Sequence, residues 1–130
     1  MKRYWLTPPD LYAKLDAEFH FDFDPCPPAP EGLRAWDGLS EWGQRNFVNP
    51  PFRKKDGSPT GFVRKAIEQQ RKGKTSVLLL PTQSYVNLLL EAGAELRSLG
   101  RVRWVAGEDG EPMRSPSPIT VFILRGRVSG

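Results

Sequence analysis

The chain has one cysteine and one histidine, and that scarcity excludes two classes of site. A lone Cys26 closes no internal disulfide, and with His20 as the sole imidazole no Cys/His zinc centre can be assembled. Any chemistry therefore needs a non-metal strategy or an organic cofactor. Long apolar runs are missing too: none approaches the ~20 residues of a membrane span. The start, Met1-Lys2-Arg3-Tyr4-Trp5, leads into polar, proline-containing sequence rather than a signal-peptide core. These absences read as a soluble, cytoplasmic protein with no membrane partner. Repeats and low-complexity segments are also lacking. At 130 residues and 38% hydrophobic content, the chain has material for one modest core, hence a single domain over 1–130.

What is present is an uneven charge. The net charge is +4, but residues 1–45 carry five basic and eight acidic side chains, whereas residues 46–75 carry eight basic and two acidic. The basic segment comprises Arg53, Lys54, Lys55, Arg64, Lys65, Arg71, Lys72 and Lys74. A polyanion such as DNA would be drawn there, with a salt-dependent affinity; a solvated helix face is the plain alternative. Arg53, Lys54, Lys55 and Arg64 are the candidate phosphate contacts.

Pattern reading gives an alternating α/β chain. Thr7-Pro8-Pro9-Asp10 reads as a helix start with Thr7 as cap and Asp10 as its capping-box partner, and Leu11, Leu15 and Phe19 follow as an apolar stripe. His20 reads as a polar cap at that helix's end. Phe21-Asp22-Phe23-Asp24 alternates like a short strand. Residues 25–32, with four prolines in eight positions, form a rigid loop. A second strand, Asn46-Phe47-Val48, is followed by Asn49-Pro50-Pro51-Phe52. A helix is expected from Phe62 to about Lys72 with Gly73 as its stop, and Thr75 to Leu80 as a strand buried on both faces. Tyr85, Leu88, Leu89, Ala92, Leu96 and Leu99 read as one further helical stripe, and 101–106 with 119–124 as a closing antiparallel pair. Trp36, Trp42 and Trp104 read as packing or surface residues. The sum is an α/β layered domain with a mostly parallel sheet and a C-terminal antiparallel hairpin.

In such sheets ligands bind outside the carboxyl ends of the strands, where both Asp24-Pro25-Cys26 and Asn49-Pro50-Pro51-Phe52 fall. The second string suits methylation of an exocyclic amine. The Asn49 side-chain carbonyl and the Pro50 backbone carbonyl can accept hydrogen bonds from an NH2 group, freeing its lone pair for attack. Pro50 and Pro51 keep the turn rigid and free of competing N–H donors, and Phe52 can stack on the base. Out of context the same string also suits a turn closing an edge strand, with Phe52 in the core. S-adenosylmethionine needs a carboxylate and walls around it, for which Asp24, Thr7, Pro8, Pro25, Cys26 and Tyr4 or Trp5 are candidates; Thr7 as a helix cap and Asp24 as a turn residue are the alternatives.

Trp5-Leu6-Thr7-Pro8-Pro9, Phe21 to Cys26, Trp42, Val48 to Phe52, Leu78-Leu79-Leu80-Pro81 and Gly100 to Trp104, in this order along nearly the whole chain, resemble the phage-type DNA N6-adenine methyltransferase (Dam) family. The resemblance implies a truncated Rossmann-like class I methyltransferase without a separate target-recognition domain, encoded by a phage or prophage. It implies S-adenosylmethionine as methyl donor, Asn49 to Phe52 as the catalytic motif, and Thr7-Pro8 and Asp24-Pro25-Cys26 lining the cofactor site. Phe52 stands where the family usually has Tyr, and Pro25 to Pro30 where larger methyltransferases have a glycine-rich loop. Cytosine N4 methylation uses the same carbonyl geometry and stays open, as does a non-catalytic nucleic-acid-binding module on a degenerate methyltransferase fold. Cytosine C5 methylation would use Cys26 after Pro25 as nucleophile, but its other motifs are lacking. With 130 residues there is little left for a recognition domain, so specificity would come from short loops, from a homodimer partner, or hardly exist.

Overall fold

The computed structural model describes residues 5–25, 41–50, 59–82, 85–100, 102–106, 112–114 and 118–127. In chain order the elements are β1 (Trp5–Leu6), α1 (Pro9–Phe19), β2 (Arg45–Val48), α2 (Pro59–Arg71), β3 (Thr75–Pro81), α3 (Val86–Glu91), β4 (Glu95–Gly100), β5 (Arg103–Ala106), β6 (Pro112–Arg114) and β7 (Ile119–Leu124). The main sheet has the order β2-β3-β7-β4, and a small second sheet has the order β1-β5-β6.

The main sheet is covered on both faces, which explains its continuous apolar strands. Val77 and Leu79 of β3 point with Ile119, Val121 and Ile123 of β7 toward Leu15 and Phe19 of α1. Their neighbours Leu78, Leu80, Phe122 and Leu124 point the other way, toward Val63 and Ala66 of α2 and Leu89 of α3. The stripe Leu11, Leu15, Phe19 thus docks on the sheet as its spacing predicts. Helix α2 begins three residues before the expected Phe62 and ends at Arg71, and Gly73 at φ 86° turns the chain into β3.

Four expectations change. The sheet is mixed rather than mostly parallel: β2 and β3 run parallel, but β7 is antiparallel to both β3 and β4. The single helix from Tyr85 through Leu99 is two elements, because Gly93 at φ 85° ends α3 and residues 95–100 form β4. The closing pair does not form between 101–106 and 119–124: β5 pairs with β1 and β6, and β7 inserts between β3 and β4. Every residue of β7 is buried, so both of its edges and both faces need partners that β5 alone cannot supply. The Phe21 to Asp24 strand is reduced to one parallel bridge, Phe23 with Asn46.

Polar ties hold the layers. Arg97 on β4 makes a bidentate pair with Glu18 on α1 at 2.6 and 2.7 Å, its guanidinium lying over the Phe19 ring. Buried Asn46 donates from Nδ2 to the Gly43 and Thr75 carbonyls, tying β2 to β3. Ahead of β2, Glu41 accepts from Lys74 Nζ at 2.8 Å and Lys72 Nζ at 3.1 Å. The bond from Lys74 first, then that from Lys72, pulls the Glu41 carboxyl down to about 2. Because folding lowers this pKa, the pairing contributes in full above the ordinary value of 4.5 and is lost as pH falls toward 2. Glu41→Gln is therefore expected to flatten the melting temperature's dependence on pH across that window. Slopes equal to those of the parent protein would show that this exposed pairing carries no stability.

Candidate functional site

The Phe21 to Asp24 segment and β2 end side by side. Phe47 N donates to the Phe23 carbonyl at 3.0 Å and Asp22 N to the Arg45 carbonyl at 2.9 Å, so the Phe21 to Asp24 segment runs alongside β2. This register carries Asp24-Pro25 and Asn49-Pro50 to the same edge of the sheet. The end of β3 lies next in line, where Thr82 Oγ1 is shared between the Pro118 carbonyl at 3.1 Å and Thr120 Oγ1 at 2.8 Å.

The central feature is a bond across the sheet edge. Asn49 Nδ2 donates to Thr7 Oγ1 at 2.9 Å, joining residues 42 positions apart. Strand alternation explains it: Phe47 faces α1 and Val48 faces α2, so Asn49 returns to the α1 side, where Thr7 leads into that helix. Thr7 is not a helix cap. Pro8 occupies that position, makes no side-chain capping bond, and leaves the Thr7 hydroxyl to serve Asn49. Asn49 is half-buried and Pro50 buried.

The expected site residues are distributed as follows. Thr7, Pro8, Asp24 and Asn49 are half-buried, and Pro25 and Pro50 are buried. Thr7 and Asn49 are in direct contact, with Pro8 adjoining Thr7 and Pro50 adjoining Asn49. Trp5 lies in β1, paired through its backbone with Ala106. Arg64 is exposed on α2, across the sheet from the Thr7–Asn49 pair, so it is not brought to that pair. Tyr4, Cys26, Pro51, Phe52, Arg53, Lys54 and Lys55 lie outside the described residues.

A residue that the sequence reading passed over is Tyr12. Its backbone N–H bonds the Pro8 carbonyl, and its ring packs edge-on against Phe47 with centroids 4.9 Å apart. Burial first, then the negative charges of Asp16 and Asp24, raises its phenol pKa. The signal was an aromatic one turn after Pro8, off the Leu11, Leu15, Phe19 stripe.

Among the described residues no group of three or more Cys, His, Asp and Glu side chains could hold a metal ion, and no helix is long and apolar enough to cross a membrane. Comparison with protein-family models, curated proteins and solved structures finds no match to this chain.

Proposed function

We propose that this protein is a DNA methyltransferase that transfers a methyl group from S-adenosylmethionine to N6 of adenine, as members of the phage-type family it resembles do. One observation carries the reading: Thr7 takes up the Asn49 NH2, and this orients the amide with its Oδ1 turned away from Thr7. An asparagine held this way is an acceptor of defined direction, which an exocyclic amine needs and a purely structural turn does not.

The residues present fit the donor. Asp24 supplies a carboxylate, Thr7 and Pro8 a polar and an apolar wall, and all adjoin the strand end that bears Asn49. When bound, S-adenosylmethionine supplies an electrophilic methyl on a sulfonium, whose carbon–sulfur bond breaks as the carbon–nitrogen bond forms. Asn49 Oδ1 and the Pro50 carbonyl accept the two amino protons of a base flipped out of the duplex or taken from a single strand, localising the lone pair on nitrogen. The surplus proton leaves after attack, so no strong general base is required. Extrusion of the base costs a few kcal/mol, which Arg53, Lys54 and Lys55 would offset by phosphate contacts.

The test is mass spectrometry of nucleosides from DNA incubated with the protein and S-adenosylmethionine. N6-methyladenine is expected. N4-methylcytosine would reassign the substrate, and no methylated nucleoside from either duplex or single-stranded DNA would overturn the reading.

A further inference from the structure

Tyr12 is held and presented at once. Phe47 and Phe21 flank its ring at centroid distances of 4.9 and 5.8 Å, yet 38% of the residue is exposed. A tyrosine serving only the core would bury its ring and leave just its hydroxyl at the surface. Its position along the helix is equally specific. The bond from its N–H to the Pro8 carbonyl sets it one turn beyond Thr7-Pro8, and Phe47 lies two residues before Asn49 on the same face of β2. The ring therefore belongs to the wall on which Thr7 meets Asn49. Asp24 follows Phe23, whose carbonyl accepts from Phe47 N, so it stands at the strand end beside the one that carries Asn49.

A partly exposed aromatic ring with a carboxylate at the neighbouring strand end has a definite preference. The ring's negative face and the carboxylate charge both favour a cation, and neither favours a neutral apolar group over it. Of the two adenosyl compounds that a methyltransferase handles, the donor carries a positive sulfur and the product a neutral thioether.

Resting on the methyltransferase reading, we propose that Tyr12, supported by Asp24, recognises the sulfonium of S-adenosylmethionine and so distinguishes donor from product. Loss of the sulfur charge on transfer then removes the attraction, favouring exchange of product for fresh donor. Tyr12 would thus be a specificity-determining residue, with no part in the methyl transfer itself.

Calorimetric titration of the full chain with S-adenosylmethionine and with S-adenosylhomocysteine tests this. Tyr12→Leu is expected to weaken donor binding roughly fivefold to tenfold and product binding less than about twofold. Tyr12→Phe, which keeps the ring and its packing, should retain the parent donor-to-product ratio. Equal weakening of both ligands in Tyr12→Leu, or no change in either, would overturn the role of Tyr12 while the methyltransferase reading stands. Failure of the parent protein to bind either ligand would overturn both.

Discussion

Replacing Asn49 with alanine is expected to lower N6-methyladenine formation by at least about 10²–10³-fold, the usual cost of deleting one pre-aimed group that stabilises a transition state. The substitution removes Oδ1, which in the proposed reaction draws the adenine amine toward a reactive shape. It also frees the Thr7 hydroxyl, which is half-buried and can turn to water, so the loss of fold stability stays near 1 kcal/mol or below. Thr7→Val tests the same geometry from the other partner. It keeps Oδ1 but leaves the Asn49 NH2 without its acceptor, so the amide is no longer fixed in direction. Its activity should fall by about tenfold, mainly in kcat, because an interaction made in the transition state is lost rather than ground-state binding. Nucleoside mass spectrometry with melting curves separates the cases. Full activity in Asn49→Ala would remove this residue from the chemistry.

The Thr7–Asn49 contact shows what local sequence could and could not reveal. Thr7-Pro8-Pro9-Asp10 satisfies the rules for a capped helix start, and those rules concern only a few neighbouring residues. The competing partner lies 42 positions away, at the end of β2, and only the sheet brings it within reach. By contrast β3 was legible because its apolar run has no polar face, which only a strand covered on both sides can accommodate. The α3–β4 boundary fell between these extremes. Leu88, Leu89, Ala92, Leu96 and Leu99 keep a helical spacing, while Gly93 supplies the break and Glu95 and Arg97 the polar alternation of a strand. Stripe spacing alone hid that stop. The two-residue β1 and three-residue β6 are too short to carry any period, so of the small sheet only β5 was readable, and its partners were not.

The common edge reached by Asp24-Pro25 and Asn49-Pro50 was legible for a simpler reason. Parallel neighbours must end on the same side, and two proline-marked strand ends in one α/β chain are therefore brought together whenever those strands pair. The basic residues follow a different logic. Arg64 belongs to α2 by helix spacing, and that helix packs on the face opposite Asn49. Sequence proximity to Asn49 did not bring this arginine to the Thr7–Asn49 pair.

Phe122→Ala is expected to cost about 3–5 kcal/mol, the largest stability loss proposed for this chain. Phe122 is fully buried at the centre of β7, paired with Leu78 of β3 on one side and Leu96 of β4 on the other, and its ring packs in the layer formed with Val63, Ala66 and Leu89. Truncation leaves a ring-sized void beneath α2, and surrounding strands that are themselves covered on both faces cannot close over it. Domains of this size are stable by only about 5–15 kcal/mol, so the melting temperature should drop by roughly 10–20 °C. Phe122→Leu, which fills most of the volume, should lose much less. The Thr7–Asn49 pair lies on the opposite face of the sheet, so the protein that remains folded at low temperature should bind S-adenosylmethionine with nearly the parent affinity. This is the inverse of the result expected for Asn49→Ala, a small loss of stability with a large loss of methyl transfer. A melting temperature lowered by less than about 5 °C in Phe122→Ala would mean that the layer beneath α2 does not hold the sheet together.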